Sequence, residues 1–313
     1  TPVTGQRLVP SWQFHDFRNY AFPFYRRVEE LTGQQFCREF TMLRLFQSEQ
    51  EAELFRKKRR ELKSFLIDSD SNVMIDAGKL TAPWGGFEMP AAGQLLTVPF
   101  LQATRFFFQD KNCFQQENCD LQQDMIVTKS NSWKIERSGV EADCLVSCQG
   151  ISGKDSFEFN QLPWKPAKGE ILTVSIPGLN EERVINSGVW LIPLGNDLYR
   201  AGSNYEWHQL DQIPTSKGRE DICRRLRQYL NIPFEVIDHQ AAVRPSMEDL
   251  KPVLGALPHE PRVALLNGLG SKGALMAPLL AKELVDHLET GKELDPAIDL
   301  WTRLKKKTKD RCG

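Results

Sequence analysis

A short apolar run, closely spaced glycines and then a long helical pattern form the feature that most constrains this chain. Residues 262–267 predict a strand, Gly268, Gly270 and Gly273 follow at GxGxxG spacing, and residues 274–289 have helical periodicity. Glycines allow a ligand to approach the backbone where a Cβ would collide, and the first turn of a helix presents unpaired N–H groups and the positive end of the helix dipole. The pattern predicts a turn that faces a phosphate or another electron-rich part of a cofactor.

This segment differs from the opening unit of a dinucleotide-binding domain. Such a unit continues into a second strand that ends in an acidic residue about 20 residues further on. Here the helical pattern ends at Gly291 and leads into a charged tail. The segment is therefore not the first strand–helix–strand unit of such a domain. A glycine turn that only joins two packed elements is the alternative explanation of this motif alone.

Composition favours a globular enzyme of more than one domain. The chain has 313 residues, a formal net charge of −1 and seven cysteines, with no CxxC pair. The length suits two interleaved domains. The near-zero net charge predicts no general attraction to nucleic acid or anionic membranes, and no apolar run approaches the ~20 residues needed to span a bilayer. The cysteine pattern favours reduced thiols and a cytoplasmic location, and the sequence predicts no metal site.

Alternation of helical and strand patterns predicts an α/β fold. Ser48 and Glu51 stand at the spacing of a capping box, and Gly33 at the position of a helix C-cap. Periodicity predicts helices over residues 15–32, 48–66, 99–109 and 215–230. Alternating apolar residues predict strands that include residues 36–45, 73–80, 93–98, 140–146, 170–176, 184–193 and 198–205.

Five segments in a fixed order carry a more specific resemblance. They are residues 2–9 (PVTGQRLV), 141–150 (EADCLVSCQG), 162–170 (LPWKPAKGE), 241–255 (AAVRPSMEDLKPVLG) and 268–278 (GLGSKGALMAP). Together they resemble the FAD-dependent oxidoreductases of the D-amino-acid oxidase and glycine oxidase type. Among these, the chain is similar to the oxidase domain of the bacterial tRNA 5-methylaminomethyl-2-thiouridine biosynthesis proteins.

The resemblance implies an FAD-binding, Rossmann-like domain interleaved with a substrate domain built on a mixed or antiparallel sheet. It places the FAD-binding domain at residues 1–25, 91–160 and 241–313, and the substrate domain at residues 26–90 and 161–240. These residues lack the family's N-terminal strand–GxGxxG–helix–strand unit, so we expect that unit upstream of Thr1 in the reading frame.

The resemblance also implies which residues form the site. Arg244 is the candidate for binding a substrate carboxylate, because a planar guanidinium binds a carboxylate through two parallel hydrogen bonds. An ordinary surface arginine before a proline turn is the alternative. Lys272 would add positive charge where negative charge develops on the reduced flavin. The candidate cofactor-binding residues are Thr4, Gly5, Arg7, Gly150, Gly268, Gly270, Ser271, Lys272 and Gly273.

The implied activity is FAD-dependent oxidation of the C–N bond of a small amine or amino-acid-like substrate to an imine. Two alternatives stay open. One is a flavin-dependent oxidase that acts on a carboxymethylaminomethyl group of tRNA, with basic residues 56–60 and the basic tail at residues 305–311 as RNA contacts. The other is a truncated relative that has no cofactor and no catalysis. The basic run at 56–60 is also typical of an ordinary solvated helix.

Overall fold

The computed structural model describes residues 1–67, 73–118, 120, 124–127, 132–135, 138–156 and 159–305. Within them the named α-helices are α1 (Phe14–Thr32), α2 (Glu49–Lys58), α3 (Thr97–Asp110), α4 (Ser216–Leu226) and α5 (Gly273–Thr290), and residues 300–305 are also helical. The strands are β1 (Val3–Thr4), β2 (Val9–Pro10), β3 (Cys37–Leu45), β4 (Gly86–Leu95), β5 (Met125–Val127), β6 (Trp133–Ile135), β7 (Glu141–Ala142), β8 (Leu145–Ser147), β9 (Ala167–Ser175), β10 (Val184–Ser187), β11 (Val189–Gly195), β12 (Leu198–Gly202), β13 (Glu235–Arg244), β14 (Val253–Leu257) and β15 (Glu260–Asn267). Short 3-10 turns cover Lys63–Phe65, Gly150–Asp155, Phe159–Gln161 and Gly270–Lys272.

Unit 1 is a compact body formed by Thr1–Asp16, Phe36–Leu96 and Lys168–Val243. It contains a seven-stranded mixed sheet in the order β13-β9-β12-β11-β10-β3-β4. The pair β10–β3 is parallel, whereas β9–β12, β12–β11, β11–β10 and β3–β4 are antiparallel. Helix α4 packs against the sheet and buries Ile222 and Leu226 in a core with strand residues such as Leu172 and Leu191.

Unit 2 is formed by Phe17–Gln35, Thr97–Ala167 and Arg244–Gly313. Its main sheet has the order β14-β15-β8, in which β15 is antiparallel to β14 and parallel to β8. Helix α5 packs against β14 and β15. The apolar core of this unit includes fully buried Val263 and Leu265 from β15 and Met247 from the segment before β14. A second small sheet has the order β5-β6-β7.

The two units and the predicted domains divide the chain at different residues. Residues 1–16 lie in unit 1 and residues 17–35 in unit 2, whereas the predicted FAD-binding domain began at residue 1 and ended its first segment at residue 25. The later boundaries of unit 2 lie near the predicted ones, at residues 97, 167 and 244. The assignment of FAD and substrate to particular domains stays a prediction.

Most predicted helices occur with small shifts, and three predicted elements are wrong in whole or in part. The predicted strand over residues 93–98 is the end of β4, which stops at Leu95, and Thr97 already begins α3. Helix α1 ends at Gly33, which has φ +68°, as predicted. Helix α2 ends at Lys58, eight residues before the predicted end. The predicted strand over residues 73–80 is absent, because Oδ1 of Asp76 accepts the Gly78 amide at 2.9 Å and turns the chain. None of the described helices is long and apolar enough to cross a membrane.

Candidate functional site

The glycine turn after β15 has the backbone conformation that its sequence predicted. Gly268 and Gly270 have φ values of +75° and +54°, which side chains rarely tolerate. A Cβ on Gly268 would lie 3.1 Å from side-chain atoms of Met247, and one on Gly270 would lie 3.1 Å from Oγ of Ser246. Both glycines are therefore required by conformation and by space.

The amides of the two glycines are already bonded within the chain. The Gly268 amide donates to Oδ1 of Asn267 at 2.8 Å, and the Gly270 amide donates to the Pro245 carbonyl at 3.2 Å. What these glycines offer a ligand is therefore close approach of the backbone rather than free N–H donors.

The first-turn amides of α5 have no partner within the helix, as in any α-helix. A 3-10 turn at Gly270–Lys272 precedes the helix, which begins at Gly273 rather than directly after Gly270. Lys272 is the N-cap, and its ammonium group cannot accept a hydrogen bond from the helix amides. The first-turn amides and the positive end of the dipole can therefore bind an electron-rich group. Burial lowers the pKa of Lys272, so a negative group beside it would stabilise its charged form.

A second glycine loop lies beside this turn. Strands β15 and β8 are parallel, with Leu265 paired to Ser147, so both strands end at the same edge of the sheet. The amide nitrogen Nδ2 of Asn267 donates to the Gly150 carbonyl at 2.8 Å. Gly150 also has a positive φ, of +58°. The structure thus brings together the two glycine segments that the sequence predicted.

Asn267 joins the two glycine segments, and sequence reasoning missed it. Its side chain is almost fully buried and uses both ends, accepting from the Gly268 amide and donating to the Gly150 carbonyl. The available signal was a polar residue at the end of an otherwise apolar strand and directly before a glycine. A satisfied buried amide of this kind holds two loops in one arrangement.

Arg244 is connected to the same region through its neighbours. It is the last residue of β13, and the next two residues contact the glycine turn. The Pro245 carbonyl accepts the Gly270 amide, and Ser246 forms an isolated antiparallel bridge with Leu269. Arg244 is half-buried. Its role in binding a substrate carboxylate stays a prediction.

The remaining candidates lie in different places. Ser271 is exposed and lies in the 3-10 turn before α5. Thr4, Gly5 and Arg7 belong to unit 1, where Thr4 is the last residue of β1 and Gly5 and Arg7 lie in the turn between β1 and β2. The other cofactor candidates and Arg244 belong to unit 2.

Two parallel strands that end in glycine loops, beside the first turn of a helix, define a cofactor-binding α/β protein. Comparison with known proteins gives the family. Residues 3–287 match the family model described as FAD dependent oxidoreductase (DAO). Because the match covers most of the chain, the protein belongs to this family of flavoenzymes, and its cofactor is FAD.

Solved structures show the same fold. Glycine oxidase from Geobacillus kaustophilus matches with a TM-score of 0.74 at 19% identity, over 90% of this chain and 80% of that one. Iminodiacetate oxidase (IdaA) from Chelativorans sp. BNC1 matches with a TM-score of 0.67 at 16% identity, over 94% of this chain and 85% of that one. The resemblance stated from the sequence is confirmed, and so is the predicted fold class.

A curated relative is similar over part of its length. The tRNA 5-methylaminomethyl-2-thiouridine biosynthesis bifunctional protein MnmC from Marinobacter nauticus is 25% identical over 188 residues. The match covers 54% of this chain and 30% of the relative. This chain therefore corresponds to less than half of that protein.

The residues of unit 2 fit FAD. Three positive-φ glycines, Gly150, Gly268 and Gly270, lie on loops held together by Asn267. They permit the close approach of a planar ring or a diphosphate, and the first turn of α5 provides N–H donors for its electron-rich edge. Gly150, Gly268, Gly270 and Gly273 are thus the residues that we expect to lie against the cofactor.

Proposed function

We propose that this flavoenzyme oxidises the C–N bond of a small amine that carries a carboxylate, giving an imine. The observation that carries the proposal is the position of Arg244, at the end of β13 and directly before the residues that bond to the glycine turn. A substrate anchored there by its carboxylate would present its amine and α-carbon towards the cofactor loops. Bound FAD supplies the two-electron acceptor.

The structural neighbours support this substrate class. Two of them are named as oxidases of glycine and of iminodiacetate. Both compounds have an amine nitrogen attached to a CH₂ group that carries a carboxylate. A guanidinium that binds this carboxylate through two hydrogen bonds determines which C–H bond points towards the acceptor.

Chain groups at the glycine turn complete the proposed chemistry. The first-turn amides of α5 and the ammonium group of Lys272 would stabilise negative charge that develops on the cofactor as it is reduced. Burial lowers the pKa of Lys272, and a negative neighbour would favour its charged form.

The test compares Arg244 variants of the full-length enzyme on an N-substituted glycine and on the matching amine without a carboxylate. Removing a desolvated charge-assisted contact costs about 2–5 kcal/mol, so Arg244→Ala should lose about 30- to several-thousand-fold in kcat/KM on the glycine. Arg244→Lys should lose less, because it keeps the charge but not the planar fork. Bound flavin should not change in either variant.

Arg262→Ala is the matched control. Arg262 lies near the opposite end of β15 from the glycine turn and pairs with Glu260 at 2.8 Å. We expect Arg262→Ala to leave the ratio of the kcat/KM values for the two substrates unchanged. Equal losses on both substrates in Arg244→Ala would remove Arg244 from carboxylate binding.

A second candidate activity is oxidation of a carboxymethylaminomethyl group on tRNA, which the name of the curated relative favours. On α2 and just after it, Arg56, Lys57 and Arg60 are exposed, whereas Lys58 donates to the Arg7 carbonyl at 3.0 Å. Residues 306–313 of the basic tail lie outside the described part of the chain. If tRNA is the substrate, neutralising these three exposed residues should weaken tRNA binding measured by fluorescence anisotropy.

A control with other basic residues separates specific tRNA binding from general electrostatic attraction. Neutralising Arg224 and Arg225 of α4, which both pair with Asp221, removes two positive charges elsewhere and should have a smaller effect than neutralising the two residues Arg56 and Lys57. Equal effects of the two sets of variants would leave only general electrostatic attraction.

The cofactor-free alternative predicts that the purified full-length protein shows no flavin absorption.

A further inference from the structure

The Asn267 side chain links β8 and β15 beyond the point where their backbone pairing ends. The parallel ladder of these strands ends at the pair Leu265 and Ser147. Two residues after Leu265, Nδ2 of Asn267 donates to the Gly150 carbonyl at 2.8 Å. The two glycine loops are therefore bonded to each other by a side chain after the strands have stopped pairing.

Both ends of the Asn267 amide are used in this link. Its Oδ1 atom accepts the Gly268 amide at 2.8 Å, and the residue is only 2% exposed. Turning the amide over would place Oδ1 against the Gly150 carbonyl and Nδ2 against the Gly268 amide, two contacts that cannot form hydrogen bonds. Only one orientation of this side chain therefore satisfies both loops.

The 3-10 turn Gly150–Asp155 also packs against this amide. A Cβ on Gly153 would lie 3.3 Å from Nδ2 of Asn267 and 3.5 Å from Oγ of Ser147. The Ser147 hydroxyl donates to Oε1 of Gln149 at 3.2 Å. The turn is thus packed closely around Asn267 as well as bonded to it.

Pro245 brings a third segment of unit 2 to the same loops. A Cβ on Gly150 would lie 3.9 Å from Cγ of Pro245, and the Pro245 carbonyl accepts the Gly270 amide at 3.2 Å. Gly150 and Gly270 therefore both lie beside one proline. Contact with Pro245 and the two bonds of Asn267 together determine how far apart the loops lie.

Burial alone does not explain an asparagine at this position. Burying an amide costs free energy unless it is hydrogen-bonded, and a leucine of similar volume would fill the space without that cost. Apolar packing is non-directional, so a leucine could not fix a carbonyl of one loop relative to an amide of the other. What asparagine supplies is one donor and one acceptor at a fixed separation.

We propose that Asn267 is a positioning residue that sets the separation of the Gly150 loop and the Gly268–Gly273 turn for FAD binding, through its donor and acceptor rather than its volume. The inference rests on the proposed cofactor site of unit 2 and is independent of the substrate that is oxidised. Asn267 itself is assigned no contact with the flavin. Its effect passes through the Gly150 carbonyl and the Gly268 amide.

The experiment measures the FAD dissociation constant of the full-length apoprotein by quenching of flavin fluorescence, between about pH 8 and about pH 5. Asn267→Asp keeps the size and one acceptor, but an ionised carboxylate cannot donate to the Gly150 carbonyl. At the upper end of this range we expect a dissociation constant about 10- to 100-fold above wild type, the factor for losing a buried bond and leaving a carbonyl against a negative charge. Burial disfavours the ionised form of the new carboxyl, so lowering the pH should protonate it, restore the donor and return the constant towards the wild-type value.

The wild type and Asn267→Leu provide the two reference titrations. Asn267→Leu fills the same space without a donor or an acceptor, so its dissociation constant should be raised at every pH. The ionisable residues of the two loops are Cys148, Lys154, Asp155 and Lys272, and the wild-type titration measures their contribution. Burial raises the pKa of the Cys148 thiol, which therefore stays protonated in this range.

Asn231→Asp is the matched control in unit 1. Like Asn267, Asn231 donates from Nδ2 to a backbone carbonyl, that of Ala77 at 3.0 Å, and its Oδ1 atom accepts from the Thr81 hydroxyl. The substitution adds the same charge and removes the same kind of donor. Its FAD dissociation constant should match wild type at every pH. If it shows the same pH-dependent rise as Asn267→Asp, the effect is a general one of the added charge and the proposal is wrong.

Other results would also overturn the proposal. They are wild-type FAD affinity in Asn267→Leu, a raised dissociation constant in Asn267→Asp that does not respond to pH, and a wild-type protein that binds no FAD. If Asn267→Asp does not fold, the affinity of Asn267→Leu decides. A wild-type protein that binds FAD and responds to these substitutions as expected, but oxidises no amine, would support the role of Asn267 and contradict the proposed function.

Discussion

Gly218 in α4 provides a stability prediction whose sign is unusual. Alanine in place of glycine inside a helix normally stabilises a protein by about 1 kcal/mol. Here a Cβ on Gly218 would overlap the carboxylate of Glu170. Glu170 is almost fully buried, and its carboxylate accepts from the amide and hydroxyl of Thr215 at 2.9 and 2.8 Å and lies 2.7 Å from Nε2 of His239.

The magnitude follows from the bonds that the methyl group would displace. Each hydrogen bond to a charged group contributes about 1.5–3 kcal/mol, and the carboxylate cannot move without losing at least one or two. After subtracting the helix propensity gain of about 1 kcal/mol, we expect Gly218→Ala to lower the free energy of unfolding by about 0.5–5 kcal/mol. The assay is urea unfolding followed by circular dichroism at pH 7.

A double-mutant cycle separates this cause from a general intolerance of the site. In a Glu170→Ala background the overlap is absent, so adding Gly218→Ala should be neutral or stabilising by up to about 1 kcal/mol. An equal loss in both backgrounds would refute the reasoning. So would a Gly218→Ala protein that is as stable as the wild type.

Two further predictions concern a buried lysine and the glycine turn. Lys168, which is fully buried, donates to Asp211 at 2.6 Å and lowers the pKa of that carboxyl from 3.8 to about 2. The stabilisation by this ion pair should be complete above pH 3.8 and disappear as the pH falls through 2, so the stability difference between wild type and Asp211→Asn in urea unfolding should vanish over this window. A difference that persists below pH 2 would contradict this prediction. Gly270→Ala and Gly291→Ala should each lose about 1–2 kcal/mol of stability because both glycines have positive φ. Only Gly270→Ala should lower the amount of bound flavin, measured by absorbance of the purified protein. Equal flavin content in the two variants would show that the Gly268–Gly273 turn is purely structural.

Local signals predicted the helix ends where the capping chemistry is contained in neighbouring residues. Ser48 caps α2 and Thr215 caps α4 through bonds to amides three residues later, and Gly33 and Gly291 end their helices with positive φ. The end of α2 was predicted wrongly. Apolar residues continue at helical spacing after Lys58, but there they pack in the core from irregular and 3-10 backbone, as Leu62 does. Helical spacing of apolar residues indicates which residues are buried, but it does not show whether their backbone is helical.

The glycine turn was predictable because its requirement lies in the residues themselves. Glycine tolerates positive φ without strain, and closely spaced glycines before a helix predict a turn that uses this freedom, as Gly268 and Gly270 do. Asn267 and Arg44 were not predictable in the same way. Each acts on a carbonyl that is distant in sequence, 117 residues away for Asn267 and 39 for Arg44. Glu51 has the spacing from Ser48 that a capping box requires, so its carboxylate was predicted to bond to the Ser48 amide. In the structure this carboxylate bonds to Arg44 and to the Gln47 amide instead.

Asn267, Arg44, Lys168 and Glu170 have a common function in this fold. Each is buried and polar, and each bonds to the backbone of a loop: Gly150 and Gly268, Gly5, Ile213, and Thr215 respectively. Apolar packing is non-directional and cannot specify the position of a single peptide group, whereas a hydrogen bond from a buried side chain can. Substitution of these residues should therefore change the geometry of the loops to which they bond, which an equally destabilising change in the apolar core would leave unchanged. Hydrogen exchange of residues 4–8 in Arg44→Lys and in a core variant such as Leu43→Ala at matched stability would test this distinction directly, since only the former should speed exchange there more than its loss of stability explains.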